Sequence, residues 1–399
     1  MTISIYTLTS PLHDEAAVNA STKEFLATIN SDFTFCDADY SSYGQSALDL
    51  IYVRTGGTEG VFKRLLPTLK EKSSRPIHLL TSGKSNSLAA SMEILSFMRQ
   101  NNLQGEIIHG DAAYVNHRIQ VLAKAGEARC RLADTRLGIV GKPSDWLISS
   151  NADPEAVRTA LGTELVEIPM KELIDLYEAD GTQPDPKLVD VAPSDAIRSS
   201  LTGAERIYAS LRRIVDKYAL TGLTIRCFDL LSAVKNTGCI ALAKLNSEGF
   251  VAGCEGDVPT ALTMTVVRAA LGISGFQANP SQINPTAGEM LFAHCTIPLN
   301  MVERFELDTH YESGIGVGIR GYMKNGPVTI FKISGDARRA FIAEGELIRS
   351  EAKDDLCRTQ QIIRLSNPAD ATYFLTNPIG NHHVIVPGHH HELFSEIMK

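Results

Sequence analysis

The chain is poor in the features that would assign it to several broad classes. It has one tryptophan, no Cys-x-x-Cys pair among its seven cysteines, no Lys/Arg-rich block and no uninterrupted apolar run of membrane-spanning length. An odd, scattered set of cysteines without paired spacing reads as reduced thiols and excludes a disulfide scaffold. Several of these thiols lie in strand-like runs, Ile225-Arg226-Cys227-Phe228 and Gly238-Cys239-Ile240-Ala241, where cysteine packs as a small apolar residue. With 38 basic against 46 acidic residues the net charge is −8, so a polyanion is repelled on average and no nucleic-acid partner is expected. Polar residues break every apolar run well short of the roughly 20 that a bilayer requires, so no membrane partner is expected either. Met1–Tyr6 carries neither the cationic nor the apolar region of a secretory signal, and the expected location is the cytoplasm. There is no fixed-period repeat and no low-complexity tract.

What is present is a long chain, 399 residues and 44% hydrophobic, with enough apolar matter for more than one core. Short apolar runs at Ile3–Leu8, Phe33–Cys36, Leu48–Val53, Ile77–Leu80 and Glu106–His109 alternate with helical stretches, the rhythm of a parallel sheet with crossover helices. Leu48–Val53 is nearly continuous rather than alternating, as in strands covered on both faces. A second unit follows the helical stretch Val115–Leu132. It contains a strand at Leu137–Val140, a helix punctuated by Asp153, Pro154 and Gly162, a strand at Leu165–Pro169, a long helix near Ala196–Tyr218, and strands at Leu223–Phe228 and Ile240–Leu245. From about residue 276 short strands and turns take over, with Asn325-Gly326 as a hairpin signal between Gly318–Met323 and Val328–Phe331. The expected fold is α/β: Rossmann-like parallel-sheet domains over 1–133 and 134–275, then an antiparallel, barrel-like β-rich domain over 276–399.

Two nucleotide motifs fail on context. Gly316-Val317-Gly318-Ile319-Arg320-Gly321 spells the dinucleotide pattern but runs into a hairpin strand instead of a helix, and Ser82-Gly83-Lys84-Ser85 lacks the first glycine of a phosphate loop because position 78 is His78. Three other segments carry chemistry. Gly253-Cys254-Glu255-Gly256-Asp257-Val258-Pro259 ends an apolar strand in two carboxylates before a helix, so Asp257 reads either as an N-cap or as a catalytic group, and Glu255 sits on the ligand-binding edge of an open sheet. Five of the eleven histidines fall in the last 18 residues, and Gly380-Asn381-His382-His383 puts two imidazoles at a strand entrance, where only one can reach a given metal. His294, in Leu291–Pro298, reads as a core histidine unless other polar groups join it. The loops Arg54–Gly60 and Thr81–Asn86 read first as solvent-exposed turns, with Arg54 available for an anionic group.

Gly141-Lys142-Pro143-Ser144-Asp145-Trp146-Leu147, Cys254-Glu255-Gly256-Asp257 with Thr260–Met264, His294-Cys295-Thr296-Ile297-Pro298 and Gly380-Asn381-His382-His383, in that order, resemble the L-fucose isomerase and L-arabinose isomerase superfamily. The resemblance covers about residues 135–399 and, more loosely, the N-terminal sheet. It implies an aldose–ketose isomerase acting on a small sugar with a divalent cation, usually manganese, in a homo-oligomer, a trimer or hexamer, whose sites are completed by a neighbouring subunit. It implies Glu255 as the first metal carboxylate, His383 or alternatively His382 as the metal histidine, and Asn279 at the place of the second carboxylate. Glu255 and Asp257 would share the acid–base work, and His294, Arg54 and Trp146 would face the substrate. Asn279 can ligate through its amide oxygen but brings no charge and cannot act as a base. A sugar-binding protein without turnover, and an epimerase or lyase using the same site, are therefore the competing expectations.

Overall fold

The computed structural model describes residues 2–399 and divides the chain into two compact units, one ending at Glu127 and the other covering Ala128–Lys399. The first unit is a parallel sheet of β1 (Ile3–Leu8), β2 (Thr34–Asp37), β3 (Leu48–Val53), β4 (Ile77–Leu80) and β5 (Gly105–Ile108), ordered β2-β1-β3-β4-β5. Its continuous apolar strands bury both faces, Tyr6, Ile51 and Leu79 toward one core and Ile5, Leu50 and Leu80 toward the other.

The second unit begins with a four-stranded parallel sheet of β6 (Arg136–Val140), β7 (Glu164–Ile168), β8 (Gly222–Ile225) and β9 (Val251–Gly253), ordered β7-β6-β8-β9. The helix Pro154–Leu161 starts and stops where its punctuation indicates. Asp153 caps it by accepting from the N–H groups of Glu155 and Ala156, Pro154 opens it, and Gly162 ends it with φ 72°. One expected strand is a helix: Cys239–Ser247 is helical and buried nearly all round, with Ile240 and Ala243 in one core and Ala241, Leu242 and Leu245 in another. A short apolar run does not reveal its period when every face is covered, which is why Ile240–Leu245 read as a strand.

The C-terminal part closes into an antiparallel barrel of six strands. These are β10 (Phe276–Asn284), β11 (Glu289–His294), β14 (Gly326–Ile333), β15 (Ala340–Glu351), β16 (Thr359–Leu365) and β17 (His383–Pro387), ordered β10-β11-β16-β15-β14-β17. Alternate residues, Phe276 and Ala278, Met290 and Phe292, Val328 and Ile330, Ile363 and Leu365, share one buried core. A separate ribbon pairs β12 (Arg304–Asp308) with β13 (Gly318–Tyr322). The Asn325-Gly326 turn therefore does not make the expected hairpin: β13 pairs with β12, β14 pairs with β15 and β17, and the turn carries the chain from ribbon to barrel. Among the described residues no helix is long and apolar enough to cross a membrane, and all seven cysteines are free thiols.

Candidate functional site

Three loops leaving the C-terminal ends of β6, β8 and β9 bring Trp146, Phe228 and Glu255 to one cavity of about 350 Å³, which His294 from the end of β11 also lines. Open parallel sheets bind ligands at this edge. The turn after β9 is held in an uncommon shape. Glu255 (φ 62°) and Gly256 (φ 66°) are both left-handed, and a Cβ on Gly256 would lie 2.4 Å from the Lys142 carbonyl oxygen, so only glycine fits there. A non-glycine residue in that region costs on the order of 1–3 kcal/mol, and such strain persists where the surroundings over-determine it. Here the Ile225 carbonyl accepts from the Gly256 N–H at 2.7 Å, and the Glu255 carbonyl accepts from the Ser144 N–H at 2.9 Å.

The Glu255 side chain is nearly buried, with one oxygen bonded and the other facing two imidazoles. Trp146 Nε1 donates to Oε2 at 2.6 Å, while Oε1 lies 3.4 Å from His382 Nε2 and 3.7 Å from His294 Nε2. Burial would raise this carboxyl, but the His382 and His294 rings outweigh it and hold the group far below the usual carboxylate range. Glu255, His294 and His382 can present ligand atoms that all lie within 4.8 Å of one another.

Asp257 is the N-cap that its sequence position allows, and it also faces His382. It caps the helix Val258–Leu271, with Oδ1 accepting from the Thr260 N–H at 2.9 Å, and its Oδ2 lies 2.8 Å from His382 Nδ1. Lys332 Nζ is 3.6 Å from Oδ1 and donates to Thr260 Oγ1 at 2.5 Å, so a wholly buried carboxylate is balanced by a wholly buried ammonium. Asp257 fixes the His382 ring through Nδ1 and turns Nε2 toward Glu255, as an outer carboxylate does for a metal-binding histidine. His382 Nε2 is buried without a hydrogen-bond partner among the described residues. Burial lowers His382, but Glu255 and Asp257 more than reverse this and raise it to about 9.

Register separates the two adjacent histidines. In β17 His383 pairs with Ala278, an inward residue of β10, so its ring turns into the barrel, where Nε2 meets Tyr373 Oη at 3.1 Å and Nδ1 lies 3.0 Å from the Asn381 carbonyl. Burial lowers it to about 3, and it stands neutral among Phe341, Tyr373 and Phe374. His382 points the other way, to Asp257 and Glu255. Asn279 lines the cavity, its Oδ1 accepting from Asn381 Nδ2 at 3.0 Å. Trp146 is 52% exposed and packs edge-on against Phe228, which packs edge-on against His310. Arg54 belongs to the N-terminal unit, where it donates to the side chains of Thr9 and Asn19. Glu255, His294, His382, Trp146 and Asn279 thus come together, Asp257 stands behind His382, and His383 has its own partners.

Phe228, His310, Glu312, Cys357 and Asn381 also line the cavity, and none was singled out by sequence reasoning. His310 and Glu312 lie on a polar turn that matches no motif. Lys332 had a readable signal, a lone cation inside Val328-Thr329-Ile330-Phe331-Lys332-Ile333, since a charge in a buried strand requires a partner.

No family model matches the chain. Among curated proteins it is similar to several sulfoquinovose isomerases. That of Alkalicoccus urumqiensis is 21% identical over 285 residues, covering 66% of this chain and 63% of that protein. That of Clostridium sp. (strain MSTE9) is 25% identical over 230 residues, with 54% and 49% covered. That of Priestia aryabhattai is 22% identical over 236 residues, with 55% and 52% covered. The chain spans between about half and just under two thirds of the length of these relatives.

Proposed function

We propose that this chain is a sugar isomerase of the fucose and arabinose isomerase kind, interconverting an aldose and a ketose at the cavity beside Glu255, with a divalent cation, manganese as the first choice, held by Glu255, His294 and His382. The observation that carries this reading is the convergence of one carboxylate and two imidazoles on a buried point, with His382 Nε2 lacking any other partner. A carboxylate with two imidazoles, His382 giving up its proton on binding, suits a divalent first-row metal. The sulfoquinovose isomerase relatives support a sugar isomerase without singling out a member.

A divalent cation at this point would act as a Lewis acid for the negative charge that develops on sugar oxygens when a proton leaves the neighbouring carbon. The chain's own residues do the rest. Trp146 pins Glu255 through Oε2 and offers its exposed indole, with Phe228 behind it, as an apolar wall for the sugar. Asp257 and Lys332 hold His382 from behind, so the ring keeps its direction without touching substrate. Asn279 and Asn381 present neutral amides suited to sugar hydroxyls. Asn279, in place of the second carboxylate that the family resemblance implies, also favours a second reading in which the cavity binds a sugar without converting it.

The test is proton NMR of L-fucose, L-arabinose and sulfoquinovose incubated with the Mn²⁺-supplemented protein. Conversion of at least one aldose to its ketose, abolished in Glu255→Gln, is expected. No conversion of any of them by wild type, joined by saturable binding of one, would transfer the assignment to the binding reading.

A further inference from the structure

We propose that Glu312 is the base that moves the carbon-bound proton, the role left open by Asn279. The inference rests on the isomerase reading and names the group in that cavity which can perform it. An aldose–ketose shift needs one acceptor that takes a proton from C2 and returns it to C1, within reach of the sugar and not already engaged. Two carboxylates line the cavity, Glu255 and Glu312. Of the Glu255 oxygens one is bonded by Trp146 and the other faces the two histidines, the point proposed for the cation. Asp257 is wholly buried, with its oxygens on Thr260, Lys332 and His382, so it cannot touch a substrate.

His310 is the other basic group in the cavity wall. The Ser313 hydroxyl lies 3.0 Å from His310 Nδ1, so this ring is bonded within its own turn. His310 is nearly buried and packs edge-on against Phe228, which leaves it less able than Glu312 to approach a sugar carbon. Glu312 sits in the same turn, and its carboxylate has no hydrogen-bond or ion-pair partner among the described residues. The turn itself is held. The Gly314 N–H donates to the His310 carbonyl at 2.9 Å, Arg358 Nε donates to the Thr309 carbonyl at 2.9 Å, and Val317 bonds Thr237 Oγ1 through both its N–H and its carbonyl. Glu312 is exposed, and its unbonded side chain, carried on a turn whose backbone is held, is free to swing toward a sugar in the cavity.

The step balances within the substrate. Glu312 takes the proton from C2, the C2–H pair becomes the C1=C2 bond, and the C1=O1 pair moves onto O1. The O2 proton then passes to O1, an O2 pair forms C2=O2, and the C1=C2 pair takes the proton from Glu312 at C1. Glu312 ends as it began, and no external oxidant or reductant is involved.

The experiment follows the same three sugars in D₂O with Mn²⁺-loaded wild type, Glu312→Gln, Glu312→Asp and Glu255→Gln, with the metal content of each measured by elemental analysis. Glu312→Gln is expected to keep its Mn²⁺, to lose at least ~100-fold in kcat and to stop incorporating deuterium at carbon, with partial recovery in Glu312→Asp. Glu255→Gln is expected to lose both metal and turnover. Turnover of Glu312→Gln within about threefold of an active wild type would overturn the assignment of the base and leave the isomerase reading standing, the threefold margin being small beside the loss expected of a missing base. Loss of Mn²⁺ in Glu312→Gln would also overturn it, by making the residue a metal holder. An inactive wild type would overturn the isomerase reading and this role with it.

Discussion

At the scale of single residues, the site depends on carboxylates and imidazoles that constrain one another. His382 is bonded through Nδ1 to a carboxylate that is itself a helix N-cap, so the position of Nε2 is tied to the start of the helix Val258–Leu271. Replacing Asp257 by Asn keeps the cap, because an Asn side-chain oxygen still accepts from the Thr260 N–H. It removes the charge facing His382 and Lys332. Asp257→Asn should therefore weaken Mn²⁺ binding by ~10–100-fold, the usual range for an outer-shell partner of a metal histidine, as isothermal titration calorimetry would show. Unchanged affinity would mean that the ring is aimed by packing alone.

At the scale of elements, what could be read from the sequence divides along local and non-local lines. The helix Pro154–Leu161 was legible because its cap, its first-turn proline and its terminal glycine act within a few residues of one another. The strands β3 and β4 were legible for the same reason, since a continuous apolar run between turns identifies a covered strand. The helix Cys239–Ser247 was not, because burial on every side erases the helical period, and the turn at Asn325-Gly326 misled because its local chemistry does not determine which strand pairs with which. The site follows the same rule. Glu255, Trp146 and His294 stood out in short ordered motifs, whereas the choice between His382 and His383 awaited the register of β17 against β10. Glu312 and Lys332 reach their positions only through long-range packing of the ribbon and the barrel.

At the scale of the whole molecule, the histidines make stability depend on pH in a definite sense. Burial lowers His294, lowers His310 to about 4 and lowers His383 to about 3, so these rings stay neutral in the folded chain, and the stability they contribute is lost as pH falls below their ordinary 6.5. His382 runs opposite. Burial lowers it, but Glu255 and Asp257 raise it from 6.5 to about 9, so its contribution is full below 6.5 and is lost as pH rises through about 9. Chemical denaturation of metal-free protein across this range should show a stability maximum near the shared ordinary value of 6.5, with the decline between 6.5 and about 9 reduced in His382→Ala. A flat alkaline side in wild type would mean that His382 is neutral in the folded protein.

The central claim is that Glu255, His294 and His382 hold a divalent cation, and elemental analysis of untagged protein exchanged into Mn²⁺ and freed of excess metal tests it most directly. About one Mn²⁺ per chain is expected in wild type and in His383→Ala, and none in His382→Ala. A wild type without metal, or metal lost from His383→Ala and kept by His382→Ala, would contradict it.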